Sequence, residues 1–537
     1  MSKKRKVGMQ NVTAEEICRK FYESLECSDK WKCLGCNVIR KKNPSGWTNL
    51  YEHIEKQHSD ELKIFIESSG TLRGVKSIKE FLTCGSKVKN IFGWIEWIVM
   101  ENHPFEMCER ELSRKYSNLE PISTPTLMKY LEKLGQAVRV KLQKVLPLKF
   151  GIILDGWSQN GIHFIGLFAN YHDNTLQNSI PLNVSLLRKE VLLSFCPITN
   201  EEDLGSNSQK DFIEETLSLY GRSCKDLLFL VADNTNVNPC IAKKLEIPFI
   251  GCCSHKFNLA VSKYLSERYS DVIEKINNIM VKLSTIKNRK RLRKGTDLCP
   301  VKKNITRWTS TFDMIKRFLE IKDSIERHVL AHDRTLASTW LNIFEVEEVE
   351  RLVIILVDFE SVTKKLQSQD ITLSQVRTLF DSIVLKYEHF ENEGELGYYL
   401  SKESGFPNPT TFENALVKLQ RFTERDMTEM EKNSVVGFEN PKSLELKTAK
   451  SSDLDFATMA LIMDNNHYLK SRHNDNSQYI DTLFVSPTSN VVERLFSQAK
   501  HVYSDLRRRI TLDHLETVIF LKINRSFWSI DDLVKDI

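Results

Sequence analysis

The segment from residue 147 to about residue 270 constrains the fold more than any other part of this chain. The runs LPLKFGIILDGWS and GIHFIGLFANYHD are β-rich and meet at Gly, which predicts a hairpin, and SIPLNVSLLRKE supplies a third strand. A helix, the strand LLFLVADN, a short helix, the strand PFIGCCS and a further helix follow. Three strands followed by β-α-β alternation predict a mixed sheet covered by helices.

Helical periodicity dominates the sequence on both sides of this segment, at 61–146 and again from about 271 to 475. The chain has 537 residues, enough for three or four folding units. We therefore predict an α/β plus all-α protein.

Composition excludes several classes of protein. Hydrophobic residues make up 41% and charged residues 27%, which is ordinary for a globular chain and too apolar for a disordered one. The longest apolar candidate, IFGWIEWIVM, is interrupted by Glu96 and is shorter than the ~18 residues that a membrane span needs. Twelve Cys are too few for a disulfide scaffold, and we expect no secretory signal. These features predict no membrane partner and favour a reducing compartment.

The first 27 residues are predicted to form a basic arm. Residues 2–8, SKKRKVG, place four basic side chains in succession, a pattern similar to a nuclear import signal. A solvated arm and an appended tag, with Met9 as the native start, stay open as alternatives. We expect a nuclear protein.

Residues 28–60 carry the spacing of a zinc finger. Cys33 and Cys36 lie two residues apart in a knuckle, and His53 and His58 lie near a helix end, so four ligands are available for a tetrahedral Zn²⁺ site. A unit with so few aliphatic side chains needs a metal to stay folded. The alternative is two ordinary Cys and two surface His.

Basic and aromatic side chains surround this unit. A positive surface with polar residues at a helix start suits phosphate positioning and groove contact in double-stranded DNA. The predicted DNA contacts of the finger are Arg40, Lys41, Lys42, Trp47 and Asn49.

Carboxylates stand where two of the predicted strands end. Asp155 follows the apolar run of GIILD, and Asp233 follows that of LLFLVAD. If these strands are parallel neighbours, their carboxyl ends meet, and two such charges would repel unless divalent cations neutralise them. Oxygen ligands favour Mg²⁺ or Mn²⁺, bound as two ions. Glu493, beside the apolar stripe of SPTSNVVERLFSQAKHV, is a candidate third ligand; a solvated helix Glu is the alternative.

A second basic stretch runs from 282 to 307, with ten basic residues and one acid, Asp297. Such a density predicts a surface that follows a phosphate backbone, whereas the simpler interpretation is a solvated helix face. The predicted contacts are Lys287, Arg289, Lys290, Arg291, Arg293 and Lys294.

Four separated blocks together resemble the hAT superfamily of DNA transposases. They are the finger with GWTNLYEH, which is similar to a BED-type zinc finger, then ILDGWS, the stretch from ADN to CCSHKFNLAV, and SPTSNVVERLFS. The resemblance implies a ribonuclease-H-like sheet split by a large helical insertion, with Asp155, Asp233 and Glu493 as catalytic metal ligands.

The same resemblance implies further roles and boundaries. Cys252 and His255 of GCCSHKF, and Arg307 and Trp308 of NITRWTS, would handle DNA near the active site, with Trp308 stacking on a displaced base. The alternatives are a buried thiol and a helix-capping imidazole for the first pair, and a core position for Trp308. The domains would be a helical DNA-binding region at 61–146, the catalytic domain at 147–307, the insertion at 308–475, and at 476–537 the last catalytic helix with a dimerisation region. The apolar stripe from Ile510 to Ile523 suits either an intrachain core or a second subunit.

The implied function is cut-and-paste transposition. The protein would bind the ends of a transposon, cleave them by metal-assisted hydrolysis and transesterification with a hairpin on the flanking DNA, and join them to target DNA as a homodimer or larger homo-oligomer. A sequence-specific DNA-binding regulator that has lost catalysis is the main alternative. A ribonuclease or exonuclease on the same sheet is a third, disfavoured by the finger and the long insertion.

Overall fold

A computed structural model gives the fold of two compact units. One unit takes residues of 1–144 and 507–537, and the other takes residues of 145–506. The predicted segment 476–537 is thus divided between them. The structure describes residues 17–18, 21–24, 30–33, 36, 38–43, 46–58, 86–173, 187–198, 205–304, 307–387, 394–404, 410–440, 478–503 and 510–534. The basic run 2–8 lies outside these residues.

Helices account for most of the described elements, as the periodicity predicts. In chain order they are α1 (Thr48–Gln57), α2 (Ser86–Met100), α3 (Glu111–Tyr116), α4 (Thr124–Val145), α5 (Ser206–Leu219), α6 (Val237–Lys244), α7 (Cys253–Arg268), α8 (Ser270–Leu283), α9 (Ile286–Leu292), α10 (Trp308–His328), α11 (Arg334–Ala337), α12 (Ile343–Leu366), α13 (Leu373–Tyr387), α14 (Glu395–Leu400), α15 (Thr411–Gln420), α16 (Glu429–Ser434), α17 (Asn490–Val502), α18 (Leu512–Ile523) and α19 (Asp531–Val534). No described helix is both long enough and apolar enough to cross a membrane.

The N-terminal finger combines a small antiparallel sheet with α1. Its strands are β1 (Tyr22–Ser24), β2 (Lys30–Cys33) and β3 (Ile39–Lys41), in the order β1-β2-β3. The core consists of Ile17, Cys18, Tyr22, Cys33, Leu50 and Ile54. Three of these six residues precede position 28, so the finger extends further towards the N-terminus than its predicted boundary, because strand β1 pairs with β2.

The larger unit contains a five-stranded mixed sheet. Its strands are β4 (Phe150–Gln159), β5 (Ile162–His172), β6 (Arg188–Pro197), β7 (Leu227–Ala232) and β8 (Phe249–Gly251), in the order β6-β5-β4-β7-β8. The β4-β5 and β5-β6 pairs are antiparallel, and the β4-β7 and β7-β8 pairs are parallel. The predicted mixed sheet, hairpin and parallel pair are confirmed.

The third predicted strand spans 179–190, of which 179–186 lie outside the described residues. The described strand β6 begins at Arg188 and continues to Pro197, beyond the predicted end. It extends this far because the run VLLSF supplies side chains that are buried on the sheet, with Val191, Leu192, Leu193 and Phe195 all at most 3% exposed.

Helix α17 covers one face of this sheet at unusually close range. A Cβ atom at Gly166 of β5 would lie 2.7 Å from Cγ1 of Val492 and 2.8 Å from Cδ2 of Leu495, so only Gly allows this approach. The ring of Phe496 stacks on Trp157 of β4 with centroids 5.8 Å apart. Glycine in β5 therefore lets α17 sit directly on the strands.

The helices from α10 onwards form their own apolar layer around Phe359 of α12. The rings of Phe257, Trp308 and Tyr387 pack against Phe359 with centroids 5.2 to 6.3 Å apart. The described part of the predicted insertion, up to residue 440, is helical as expected. Residues 441–475 lie outside the described residues.

The apolar stripe near the C-terminus belongs to the core of its own unit. Leu515, Val518, Ile519, Phe520 and Leu521 of α18 are at most 2% exposed. Side chains of α18 bond α2 and α4 of the same chain, through Lys522 to the Met100 carbonyl at 2.7 Å and through Glu516 to Arg139 at 2.9 Å. Burial within one copy removes these side chains from the predicted dimerisation surface.

Candidate functional site

Strands β4 and β7 bring Asp155 and Asp233 to the same level of the sheet. The register pairs Ile153 with Val231 in parallel, so Asp155 and Asp233 each follow two residues later. Neighbouring strands lie about 4.8 Å apart, and paired positions point to the same face. Strand β7 ends at Ala232, whereas β4 continues to Gln159 on β5, so Asp155 lies within a strand and not at its end as predicted. The two carboxylates share one edge.

Asp155 lies near two other carboxylates and one arginine. The Gly156 N–H donates to its Oδ1 at 2.8 Å. Burial is the main cause that raises the pKa of Asp155 to about 7, and the charges of Asp233 and Glu493 raise it further, while the Arg307 guanidinium opposes them. Asp155 is therefore within electrostatic reach of the other two carboxylates and of Arg307. We call Asp155, Asp233 and Glu493 the acidic trio.

Asp233 is fixed through a single carboxylate oxygen. The Thr235 N–H and hydroxyl donate to Oδ1 at 3.1 and 2.7 Å, and the Asn238 amide of α6 donates to the same atom at 2.5 Å. Within the described residues, these donors to the Asp233 side chain all bond the same oxygen, Oδ1. An oriented carboxylate with one oxygen left for another ligand fits an oxygen-preferring cation.

Helix α17 carries Glu493 to this edge. Gly166, which α17 covers through Val492, is the β5 partner of Asp155, so the first turns of α17 lie over the strand position next to that carboxylate. Glu493 directly follows Val492, and its side chain is 38% exposed and ion-paired with Arg307. This arrangement explains how a residue about 340 positions away acts on Asp155.

A buried arginine fixes the segment that leads into α17. Arg188, at the start of β6, donates to the carbonyls of Leu483, Phe484 and Val485 at 3.1 to 3.3 Å. It also donates to the carbonyls of Gln369 and Ile371 at 3.1 and 2.8 Å. A guanidinium is suited to this, since its donors form a rigid fork. Arg188 therefore links the sheet to the α12–α13 connection and to residues 483–485, which precede α17 and Glu493.

Cys252 contacts the backbone just before α17. Its buried thiol accepts a hydrogen bond from the Ser489 N–H at 3.3 Å, just before α17, and burial raises its pKa. The neighbouring Cys253 N–H donates to the Pro487 carbonyl at 3.0 Å. The side chain of Cys252 is buried, as the alternative of a buried thiol expects, and its DNA-handling role stays a prediction. His255, one turn further along α7, is partly exposed.

Arg307 and Trp308 differ in what they contact. The Trp308 side chain is only 3% exposed, packed between Phe312 and Phe359, and its backbone N–H donates to the Asn258 side chain of α7 at 3.3 Å. The indole is therefore part of the core in this conformation, and its stacking on a base stays a prediction that would require it to leave this position. Arg307, at the N-cap of α10, is 58% exposed and faces Glu493.

The basic helix α9 presents one face to solvent. Asn288 and Leu292 are buried, and the Asn288 amide anchors the helix by donating to Asp333 at 2.7 Å. The predicted contacts Lys287, Lys290, Arg293 and Lys294 are exposed, while Arg289 and Arg291 are half-buried. The Arg291 guanidinium bonds Asn288 at 3.0 Å, so its role is partly internal.

The finger places its four predicted ligands in one cluster. The ligand atoms of Cys33, Cys36, His53 and His58 all lie within 4.8 Å of one another, and this is the only such group found among the described residues. Cys33 Sγ lies 3.3 Å from His58 Nε2, and Cys36 Sγ lies 3.2 Å from His53 Nε2. Tetrahedral zinc with ordinary bond lengths requires about 3.6 Å between such atoms. The cluster fits Zn²⁺.

The surroundings of Cys36 and His53 favour the protonation states that bind a metal ion. The Val38 backbone N–H, followed by the His58 side chain, lowers the pKa of the Cys36 thiol, which favours thiolate. Burial lowers the pKa of His53, which favours the neutral ring that binds metal. Nδ1 of His53 is buried without a hydrogen-bond partner, so Nε2, which faces Cys36, is the better placed ligand atom.

The predicted DNA contacts of the finger divide into exposed and structural side chains. Arg40 and Lys41 on β3 are exposed. Trp47 packs edge-on against Trp31 at 4.9 Å, and the Lys42 ammonium lies 4.7 Å above its ring. The Asn49 amide donates to the Lys41 carbonyl at 2.5 Å, which ties α1 to β3. Arg40 and Lys41 are therefore the most available for phosphate.

Sequence reasoning missed Arg188 and Asn170, which hold the approach to Glu493. The Asn170 amide donates to the Phe484 carbonyl at 3.0 Å, and its oxygen accepts from the Ser486 N–H at 3.0 Å. Asn170 is an amide within an apolar strand, which is an unusual position and was the available signal. Arg188 stands beside Lys and Glu in the sequence and looks like an ordinary surface residue.

No protein-family model matches this chain, and no curated protein matches it either. Interpretation of the candidate site therefore depends on its own geometry.

Proposed function

We propose that this chain is a metal-dependent DNA transposase of the cut-and-paste type, with a ribonuclease-H-like catalytic sheet. The observation that carries the proposal is the meeting of the acidic trio at one edge of the sheet, from strands β4 and β7 and helix α17. Repelling carboxylates are costly to hold together, and a protein that does so has a use for the negative charge.

Each member of the trio would be a metal ligand, oriented by its own element. Asp155 is held by the Gly156 N–H, Asp233 by Thr235 and Asn238, and Glu493 by the docking of α17. Mg²⁺ or Mn²⁺, bound as two ions, would supply charge neutralisation and a water of lowered pKa for attack at phosphorus. The substrate would be double-stranded DNA, first at the transposon ends and then at the target.

Two basic surfaces support DNA as the substrate. Arg40 and Lys41 of the finger are exposed on one, and α9 with the residues after it presents the other. Exposed Lys and Arg at such density bind phosphate without regard to base sequence, so these surfaces would supply affinity and positioning. Nuclear location and assembly as a homodimer or larger homo-oligomer are part of the same proposal.

A DNA-binding regulator without catalysis is the second candidate. The observation in its favour is that Glu493 is ion-paired with Arg307, while the finger is the only compact ligand cluster among the described residues. Such a protein would keep the finger and the basic surfaces and would need no cation at the sheet.

Cleavage of a bound DNA distinguishes the two functions. A duplex selected from a random pool by binding to the full chain is placed inside a longer labelled duplex and incubated with Mg²⁺ or Mn²⁺. We expect discrete cleavage with hairpins on the flanking DNA, lost in Asp155→Asn and kept in Asp211→Asn, which changes an exposed carboxylate of α5. Specific binding without cleavage would support the regulator, and progressive degradation would support a nuclease.

A further inference from the structure

Arg307 is the only basic side chain that the described structure pairs with the acidic trio. Its guanidinium bonds Glu493, on the helix α17 that lies over the strand position beside Asp155. A divalent cation bound to the same carboxylates would compete for the same negative charge.

The backbone of Arg307 is held where this contact is made. Trp308, the next residue, is buried among Phe312 and Phe359. The Ser310 hydroxyl donates to the Arg307 carbonyl at 2.8 Å, which fixes the start of α10. The backbone position of Arg307 is thus set by the fold, while its side chain, which pairs with Glu493, is 58% exposed to solvent.

We propose that Arg307 is the resident counter-ion of the acidic trio and competes with divalent cations for Glu493. The inference rests on the proposed function, since it assigns the trio to a cation. In the ion pair, Glu493 faces the guanidinium; on cation binding, its carboxylate turns to the ion and releases Arg307. Trp308 then serves as the anchor that keeps Arg307 beside the site.

The expected change in cation affinity follows from the solvent exposure of Arg307 and Glu493. Both partners keep solvent contact, and pairs of this kind contribute at most about 1 kcal/mol, which corresponds to about a five-fold change in an affinity. Removal of the guanidinium should therefore tighten binding of a divalent cation about five-fold. The difference should shrink at high salt, because salt screens exposed charges.

The test is a titration of the full chain with Mn²⁺, after the finger has been loaded with zinc. The electron spin resonance signal measures the concentration of free Mn²⁺ and so gives the affinity. We expect Arg307→Gln to bind Mn²⁺ about five-fold more tightly than wild type, and Arg307→Lys to resemble wild type. Arg317→Gln is the matched control, since it removes an arginine of the same helix that pairs with Glu320. Asp155→Asn assigns the site, because it should abolish the binding.

Each outcome has one meaning. Equal or weaker Mn²⁺ binding in Arg307→Gln, with binding still lost in Asp155→Asn, would overturn the competition and leave the proposed function standing. Tighter binding in both Arg307→Gln and Arg317→Gln would also overturn it, since a general charge effect would then explain the change. Absence of Asp155-dependent binding in every protein would remove the cation site on which both proposals depend.

Discussion

The finger and the sheet edge are both candidate metal sites, yet they are built on opposite principles. The four finger ligands lie within 4.8 Å of one another, and local bonds favour their metal-binding forms. At the sheet edge, strand register and the docking of α17 hold the three carboxylates near one another despite their repulsion, and the guanidinium of Arg307 pairs with one of them. The four finger ligands could enclose a zinc ion, whereas Glu493 at the sheet edge is 38% exposed to solvent.

This difference indicates how each site relates to folding. The finger core contains only a few buried side chains, so its metal is expected to supply its folding free energy. The sheet and its helices bury a large apolar core without the trio, so cations there would add chemistry and little stability. Loss of the metal ions should therefore unfold the finger but leave the larger unit folded.

The largest expected effect is the loss of zinc from the finger. Cys33→Ala should remove the metal, and with it roughly 10 kcal/mol of apparent binding free energy, so the finger unfolds. Cys18→Ala is the control, because Cys18 is buried in the same core but is not in the ligand cluster. Zinc content per chain and amide exchange of the finger residues measure the outcome; retained zinc in Cys33→Ala would contradict the assignment.

The next largest effect concerns Arg188, the buried clamp that bonds backbone carbonyls at 369–371 and 483–485 in the larger unit. Arg188→Met leaves the carbonyls of four residues without this donor, while that of Phe484 keeps its bond from Asn170, and we expect the free energy of unfolding to fall by at least about 3 kcal/mol in urea titration. Arg494→Met, which removes an arginine paired at 3.9 Å with Glu190, is the comparison variant and should cost less. Equal losses in the two variants would argue against Arg188 as the clamp.

A smaller effect is expected where α17 approaches the sheet. Gly166→Ala places a Cβ within 2.8 Å of Val492 and Leu495, and the helix must shift, at about 1–3 kcal/mol. Since Glu493 moves with α17, Mn²⁺ binding should weaken as well. Gly161→Ala, at a turn with open space but φ +83°, is strained without touching α17 and should leave Mn²⁺ binding unchanged. Unaltered Mn²⁺ affinity in Gly166→Ala would separate Glu493 from the site.

The smallest effect is the pH dependence of Asp155 in the absence of divalent cations. Its native pKa of about 7 is above the ordinary value of 3.8, so the native state holds this proton more tightly than the unfolded chain. Its contribution to stability is complete below pH 4 and is lost as the pH rises through 7. Asp155→Asn should thus equal wild type in stability at pH 4 and become the more stable of the two as the pH rises to 8. Asp211→Asn should show no such difference.

Local patterns were sufficient to predict much of the fold. Apolar runs located four of the five strands of the large sheet and predicted that β4 and β7 are parallel neighbours. The spacing of Cys33, Cys36, His53 and His58 predicted a cluster that the structure forms. These features depend on residues close in sequence, or on one hydrophobic period, which a single sequence displays directly.

Features that depend on distant partners were not predictable. Arg188 is polar in sequence but buried, because its partners at 369–371 and 483–485 are supplied by the fold. The burial of Trp308 depends on Phe359, about 50 residues away, which covers it. The pairing of Arg307 with Glu493 likewise joins residues 186 positions apart.

Binding of divalent cations by the acidic trio can be observed by anomalous scattering from a crystal of the zinc-loaded chain soaked in Mn²⁺. We expect manganese peaks bound by Asp155, Asp233 and Glu493, with the Arg307 side chain turned away from Glu493. Manganese bound elsewhere, with Glu493 still paired to Arg307, would contradict it.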